Sequence, residues 1–227
     1  CSDFGDENAY NTYVYPGFDG KGRLVVDSFA EGNPLASLDL SGTALSTVKS
    51  TKAGLEALNL SGCSSLLTLD CSGGQLTSLD LAGCTALKTL DCSNNQLRSL
   101  LLDGNEDGGI AYLDCSHNQL SELNVSNPIG GDYPKEGFFD CSYNKLTSLA
   151  INGCGGGPWE SVRRFDCSNN NLVSFSVSRY VQAGVFDCSN NNLAALDTSK
   201  FYSTSSIECY GNPLEESAVD ALKAWQS

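Results

Sequence analysis

Apolar residues return along this chain on a nearly fixed ruler. Residues 87–97, LKTLDCSNNQL, give the template L-x-x-L-x-C-x-x-N-x-L. Leu87, Leu90, Cys92 and Leu97 are expected to point inward and Thr89, Asp91 and Ser93 outward, because successive strand side chains face opposite sides. The cysteine slot recurs at Cys71, Cys92, Cys115, Cys141, Cys167, Cys188 and Cys209, spaced 21, 23, 26, 26, 21 and 21 residues. One turn earlier Leu45, Val48 and Leu55 fit the frame, with Ser50 in the cysteine slot and Ala53 in the asparagine slot. The asparagine column reads Asn95, Asn118, Asn144, Asn170, Asn191 and Asn212, with Gly74 the exception. A side-chain amide at that slot can satisfy backbone groups that a turn leaves unpaired.

A second, weaker set of apolar positions lies between these units: 79–81 (LDL), 100–102 (LLL), 123–125 (LNV), 149–151 (LAI) and 175–177 (FSV). Apolar alternation over so few residues argues short strands, and a 21-residue turn is short for a strand plus a full helix. The expected fold is a β-rich solenoid of about eight turns of 21–26 residues, with parallel sheets on two faces. Residues 1–22 lack the period. Residues 23–214 form the solenoid, opened by a degenerate cap turn in which Val25, Ala30, Asn33 and Leu35 fit the template and Phe29 takes a usually polar slot. Residues 215–227 are expected to form a capping helix. Its start reads Asn212-Pro213-Leu214-Glu215, an N-cap followed by Pro and an acid. Leu214, Ala218, Ala221, Leu222 and Trp225 would cover the last turn, with Trp225 as a core plug whose replacement by Ala would cost roughly 3–5 kcal/mol.

Charge and cysteine usage narrow the function classes. With 13 Lys and Arg against 27 Asp and Glu, the formal charge is -14, and no basic cluster invites nucleic acid or an anionic membrane. Eleven cysteines would ordinarily suggest a disulfide framework, yet seven share one inward column, three (Cys63, Cys84, Cys154) share a second, and Cys1 stands apart. Parallel side chains in a column favour packed thiols over bonds. No zinc spacing, metal site or cofactor motif is read. Nor is there a nucleophile elbow, phosphate loop or H-E-x-x-H, and the single histidine, His117, occupies an exposed repeat slot. The chain is expected not to be an enzyme.

Candidate binding residues fall in two groups. The slot before each ladder cysteine forms an acidic stripe: Asp70, Asp91, Asp114, Asp140, Asp166, Asp187 and Glu208, opened by Lys49. Either the serines two residues on satisfy it, or it meets a cation or a basic partner. The second group lies where the repeat is broken, after Asn127, after Cys154 and near 103–109. Insertions of this kind commonly carry contacts. Tyr133 and Trp159 sit in the two larger ones, with Tyr112, His117, Phe138, Tyr143, Arg163, Arg164, Arg179 and Tyr180 nearby in sequence. Aromatics and arginine are the usual interface anchors. The alternative is that Trp159 and Phe138 fold back to plug their own loops.

The units at Leu66, Leu87 and Ile110 resemble the cysteine-bearing 21-residue leucine-rich repeats of internalin-type bacterial surface proteins, and the resemblance covers residues 35–214. A chain beginning Cys-Ser-Asp also looks like a leucine-rich repeat lipoprotein of Bacteroidetes, with residues 1–22 as the tether of a lipidated Cys1. The resemblance implies an outer-membrane, cell-surface monomer that recognises an extracellular protein or glycan and meets the membrane only through Cys1. A structural or assembly subunit of an outer-membrane complex is the second expectation, and a glycan-processing enzyme the third.

Overall fold

The structure, a computed structural model, describes residues 22–25, 36–51, 54–102, 110–125, 137–151, 162–177, 181–201 and 204–226. Among them, in chain order, lie the strands β1 (Arg23–Val25), β2 (Ser37–Asp39), β3 (Thr47–Lys49), β4 (Ala57–Asn59), β5 (Thr68–Asp70), β6 (Thr89–Asp91), β7 (Tyr112–Asp114), β8 (Asn124–Val125), β9 (Gly137–Asp140), β10 (Ser148–Ile151), β11 (Val162–Asp166), β12 (Ser174–Val177), β13 (Ala183–Asp187) and β14 (Ser206–Glu208), followed by the helix α1 (Glu216–Gln226). The order β1-β3-β5-β6-β7-β9-β11-β13-β14 forms one nine-stranded parallel sheet. Each turn contributes one strand to it, as the template requires. Equivalent residues pair from turn to turn: Leu69 with Leu90, Leu113 with Phe139, Phe165 with Phe186.

The sheet holds nine strands where the template counted eight turns, because the N-terminal cap adds β1. Its register differs from the sequence alignment. Leu24 pairs with Val48 and is buried, so the inward position lies four residues before the Ser28 slot, and Val25 is 42% exposed. Without a cysteine or asparagine to fix the frame, Leu24 between two outward neighbours decides the register. Ala30, Asn33, Leu35 and Phe29 lie outside the described residues.

The second face is less regular than expected. β8, β10 and β12 form one parallel sheet and β2 with β4 another, whereas 79–81 is not strand. Leu79, Leu81, Leu100 and Leu102 are nonetheless buried. Apolar spacing thus delivers side chains to the core even where backbone pairing lapses. Burial and ladder hydrogen bonds are separate requirements.

Inside, the columns pack as read. Leu66, Leu69, Cys71 and Leu76 are at most 1% exposed, as are Leu90, Cys92 and Leu97 in the next turn. Among the described residues no cysteine is in a disulfide, and all but Cys209 are buried. Cys154 lies outside the described residues. Burial raises the thiols: Cys84 is pushed up to about 11, and Cys92, Cys115 and Cys141 go well above their usual value. In β9, β11 and β13 the leucine slot holds phenylalanine, before Ile207 takes it in β14. Phe139, Phe165 and Phe186 are fully buried, with ring centroids 4.6 Å and 5.1 Å apart in succession. Phe175 of β12 closes on Phe165 and Phe186 from the opposite face.

Asparagine ties each turn to the one before. Asn118 Nδ2 donates to the Cys92, Cys115 and Ser116 carbonyls, while its Oδ1 accepts the Leu97 N–H. Asn95, Asn144, Asn170 and Asn191 repeat this set. The spine starts only at Asn95, since Gly74 takes the earlier slot. In the turn before Gly74, Ser50 Oγ is buried with no hydrogen-bond partner among the described residues.

At the C-terminus the spine claims Asn212. Its amide bonds the Cys188 and Cys209 carbonyls and the Leu193 N–H, so it cannot cap the helix. Helix α1 starts at Glu216 without the expected Asn212 cap, the Glu215 carbonyl accepting from Ala218 and Val219. Ala218 is buried and Leu214, Leu222 and Trp225 pack partly against the core, while Ala221 is exposed. Trp225 caps an edge and is not a buried plug. Trp225→Ala is therefore expected to cost about 1–2 kcal/mol, in line with partial burial, measured as a shift in the urea midpoint. A loss in the full-burial range would mean that the ring sits deeper.

Candidate binding surface on the sheet face

Outward positions of the ladder strands form columns along the solenoid. The first reads Thr47, Thr68, Thr89, Tyr112, Phe138, Arg164, Val185 and Ser206, partners in successive strand pairs. The next is the acidic stripe, with Asp70, Asp91, Asp114, Asp140, Asp166 and Asp187 each beside the following one. The serines two residues on do not face solvent as the alternation suggested: Ser93, Ser116, Ser142, Ser168 and Ser189 are buried. The chain turns inward immediately after each strand, and the serine follows it.

These serines satisfy one oxygen of each carboxylate. Asp114 Oδ1 accepts the Ser116 N–H at 3.0 Å and its hydroxyl at 2.7 Å. Asp91 and Asp187 accept the same pair from Ser93 and Ser189, and Asp140 and Asp166 accept the N–H of Ser142 and Ser168. The stripe is thus first a structural device. The second oxygen differs along it. At Asp166 and Asp187 it is taken by Arg164, whose Nη2 donates to both Oδ2 atoms at 2.7 Å and 2.9 Å, with Nε donating to Asp166 as well. No donor among the described residues reaches Oδ2 of Asp91, Asp114 or Asp140, and none of the three is ion-paired there. Burial, with Asp166 and Asp114 adding to it, pushes the Asp140 carboxyl up to about 6. Burial likewise raises Asp91.

A carboxyl whose folded pKa lies above its unfolded value binds a proton more tightly in the fold. Its contribution is fully present below the unfolded value near 3.8 and is lost as pH rises through about 6. Stability is expected to fall between pH 4 and pH 6 from this group, and Asp140→Asn is expected to flatten that slope in urea midpoints measured across the window. An equal slope in the variant would assign it elsewhere.

Aromatic residues flank these uncompensated carboxylates. Tyr112 and Phe138 stack with centroids 4.9 Å apart and planes 17° apart. Phe138 therefore stands in an outward slot of the sheet against Tyr112, while the loop before it lies outside the described residues. Burial, then the neighbouring aspartates, pushes the Tyr112 hydroxyl up to about 12. On the other side of the stripe His117 and Tyr143 stack at 4.3 Å and 8°, with Tyr143 52% exposed. Both adopt positive φ, 52° and 53°, in a column otherwise filled by Gly73, Asn94, Asn169, Asn190 and Gly211. The turn demands a left-handed residue here, which glycine and asparagine supply cheaply and bulky side chains do not. Strain accepted at two adjacent turns, for rings that then stack in the open, makes this region the candidate site.

Four of the binding candidates, Tyr112, Phe138, Tyr143 and Arg164, thus meet on one face. Arg163 is exposed in a bulge of β11 relative to β9. Its carbonyl oxygen lies 2.6 Å from where a side chain on residue 184 would begin, which is why glycine stands there. Tyr133, Trp159, Arg179, Tyr180 and Cys1 lie outside the described residues. His117 joins the four on that face, and the sequence carried its signal: wherever the slot before the spine asparagine is neither Gly nor Asn, an aromatic ring stands there. Among the described residues no group of three or more His, Cys, Asp or Glu could hold a metal ion, and no helix is long and apolar enough to cross a membrane.

One parallel strand per turn, a buried asparagine spine and a leucine and cysteine interior define a leucine-rich repeat solenoid. The Leucine Rich Repeat family model matches residues 86–107. A leucine-rich repeat protein of Leptospira interrogans superposes with a TM-score of 0.55 at 18% identity, over 83% of this chain and 52% of that protein, and this likeness shows the fold. The chain therefore spans about half the length of that relative. The functional domain of InlJ from Listeria monocytogenes, which includes a cysteine ladder, gives 0.40 at 22% identity over 83% and 48%. The leucine-rich repeat domain of APL1B gives 0.32 at 17% over 89% and 71%. A search of the curated proteins found no match.

Proposed function

We propose that the chain is a non-catalytic recognition module of the bacterial cell surface, and that it binds an extracellular protein or glycan on the face of the nine-stranded sheet around Tyr112, Phe138, His117 and Tyr143. Solenoids of this kind offer extended surfaces on which partners dock. The observation that carries the reading is the pair of ring stacks on two adjacent turns, one half-buried and the other exposed and held in a backbone conformation that other turns give to Gly or Asn. Rigid aromatic side chains present contact area at little entropic cost. The surface setting rests on the resemblance of the repeats to those of internalin-type proteins.

The test is a binding screen of the chain against mucins, matrix proteins and a glycan array, beside Tyr112→Ala/Phe138→Ala and Tyr143→Ala variants. Loss of about thirtyfold in affinity, the size of a hot-spot truncation, supports the sheet face. A hit that survives both variants but is lost with Tyr133→Ala/Trp159→Ala moves recognition to the inserted edge. No binding anywhere sinks the module reading in favour of a spacer or assembly subunit.

A further inference from the structure

Arg164 shows how this face receives a cation. The Oδ1 atoms of Asp166 and Asp187 are held by the serines that follow them, which fixes each carboxylate and turns Oδ2 outward to one guanidinium spanning two turns. Asp91, Asp114 and Asp140 have the same Oδ1 arrangement, with no cation of this chain among the described residues on Oδ2. In the first column, where Arg164 stands for its own pair, Tyr112 and Phe138 stand for these three as a stacked pair. The opposite flank is the His117–Tyr143 stack. The result is a row of fixed acceptors with a ring stack on either flank, on a chain of net charge -14.

We propose that this row of carboxylates takes an extended, arginine- or lysine-bearing segment of a protein partner, whose cationic groups seat on Oδ2 of Asp91, Asp114 and Asp140 as the Arg164 guanidinium seats on the next two. The proposal rests on the reading of this face as the binding surface and names its partner class. Charge complementarity selects the occupant. An oxygen held in place receives a guanidinium as Asp166 Oδ2 receives Nε and Nη2 of Arg164, and such charge-assisted hydrogen bonds are the strong ones. The three carboxylates span about 10 Å over two strand spacings, and cationic side chains at alternate residues of an extended segment lie about 7 Å apart, so two fit the row. A neutral glycan would leave the charged row desolvated and uncompensated.

The probe is the fluorescein-labelled peptide Arg-Ser-Arg-Ser-Arg-Ser, with Glu-Ser-Glu-Ser-Glu-Ser as its control, titrated by anisotropy against the full chain. Saturable binding of the arginine peptide alone is expected, weakening as NaCl rises. Asp114→Asn and Asp140→Asn, which keep an acceptor for the serine N–H groups, are each expected to weaken it about tenfold. Tyr112→Arg places a guanidinium of the chain itself over Asp114 and Asp140, repeating the Arg164 arrangement, and is expected to abolish binding while leaving the melt intact. Asp39→Asn/Asp80→Asn removes two exposed charges away from the nine-stranded sheet and is expected to change nothing. Binding that falls equally in that control is attraction to net charge and overturns the proposal. So does binding indifferent to the Asp114 and Asp140 changes. If the broader screen yields a ligand lost with Tyr112→Ala/Phe138→Ala but unaffected by Asp114→Asn/Asp140→Asn, the surface stands and the cationic partner falls. No binding of any probe removes both.

Discussion

Replacing Asn144 with Ala is expected to remove roughly 3–5 kcal/mol of stability, the cost of stranding several buried polar groups at once. Asn144 Nδ2 donates to the Cys115, Cys141 and Ser142 carbonyls, and Oδ1 accepts the Leu120 N–H at 2.9 Å. Two of those partners belong to the preceding turn and two to its own, so the side chain joins turns that otherwise meet only through strand pairing and packing. Asn144→Asp tests the chemistry. It keeps the acceptor for Leu120, loses both amide protons and places a carboxylate against three carbonyl oxygens, so it is expected to be at least as damaging as Ala. Because each repeat contacts only its neighbours, the break falls mid-solenoid. Urea unfolding should then lose its single transition, with a smaller apparent slope as the halves separate. A variant with an unchanged midpoint and slope would show that the spine is ornamental.

Phe165→Ala is expected to cost about 3–5 kcal/mol, the range for deleting a fully buried aromatic. Its ring meets Phe139, Phe186 and Phe175 edge-on, at 4.6 Å, 5.1 Å and 5.8 Å, and so joins the leucine-slot column to the opposite face. Phe165→Leu restores the residue used at Leu69, Leu90 and Leu113 and is expected to cost only about 1–2 kcal/mol, since most of the apolar volume remains. The thermal midpoint should order the three proteins accordingly. Near-equal losses for Leu and Ala would mean that ring geometry matters more than volume. A loss confined to the binding assay, with stability unchanged, would contradict the assignment of this ring to the core.

The fold was largely legible because a solenoid returns each template slot to the same environment. The columns of Leu69, Leu90 and Leu113, of Cys71 through Cys188, and of Asn95 through Asn191 all lie inside as spacing demanded. Where the template weakened, reading along the chain gave less. Leu24 took the inward slot of the cap strand, Asn212 went to the spine instead of the helix cap, and 79–81 buried its leucines without forming a strand. Each of these was settled by what the neighbouring turn offered.

The site divides along the same line. By itself the sequence determined that an acidic column runs down one face and that Tyr112, Phe138, Tyr143 and Arg164 interrupt an otherwise small polar surface, because outward slots are fixed by a two-residue alternation. Only the tertiary structure decided that the serines beside the column are buried, that Arg164 compensates Asp187 from 23 residues away, and that His117 and Tyr143 lie face to face across adjacent turns. The physical reason is lateral. An outward side chain takes its burial, partner and charge balance from residues one turn away, and turns of 21 to 26 residues bring those neighbours alongside only when the chain is wound.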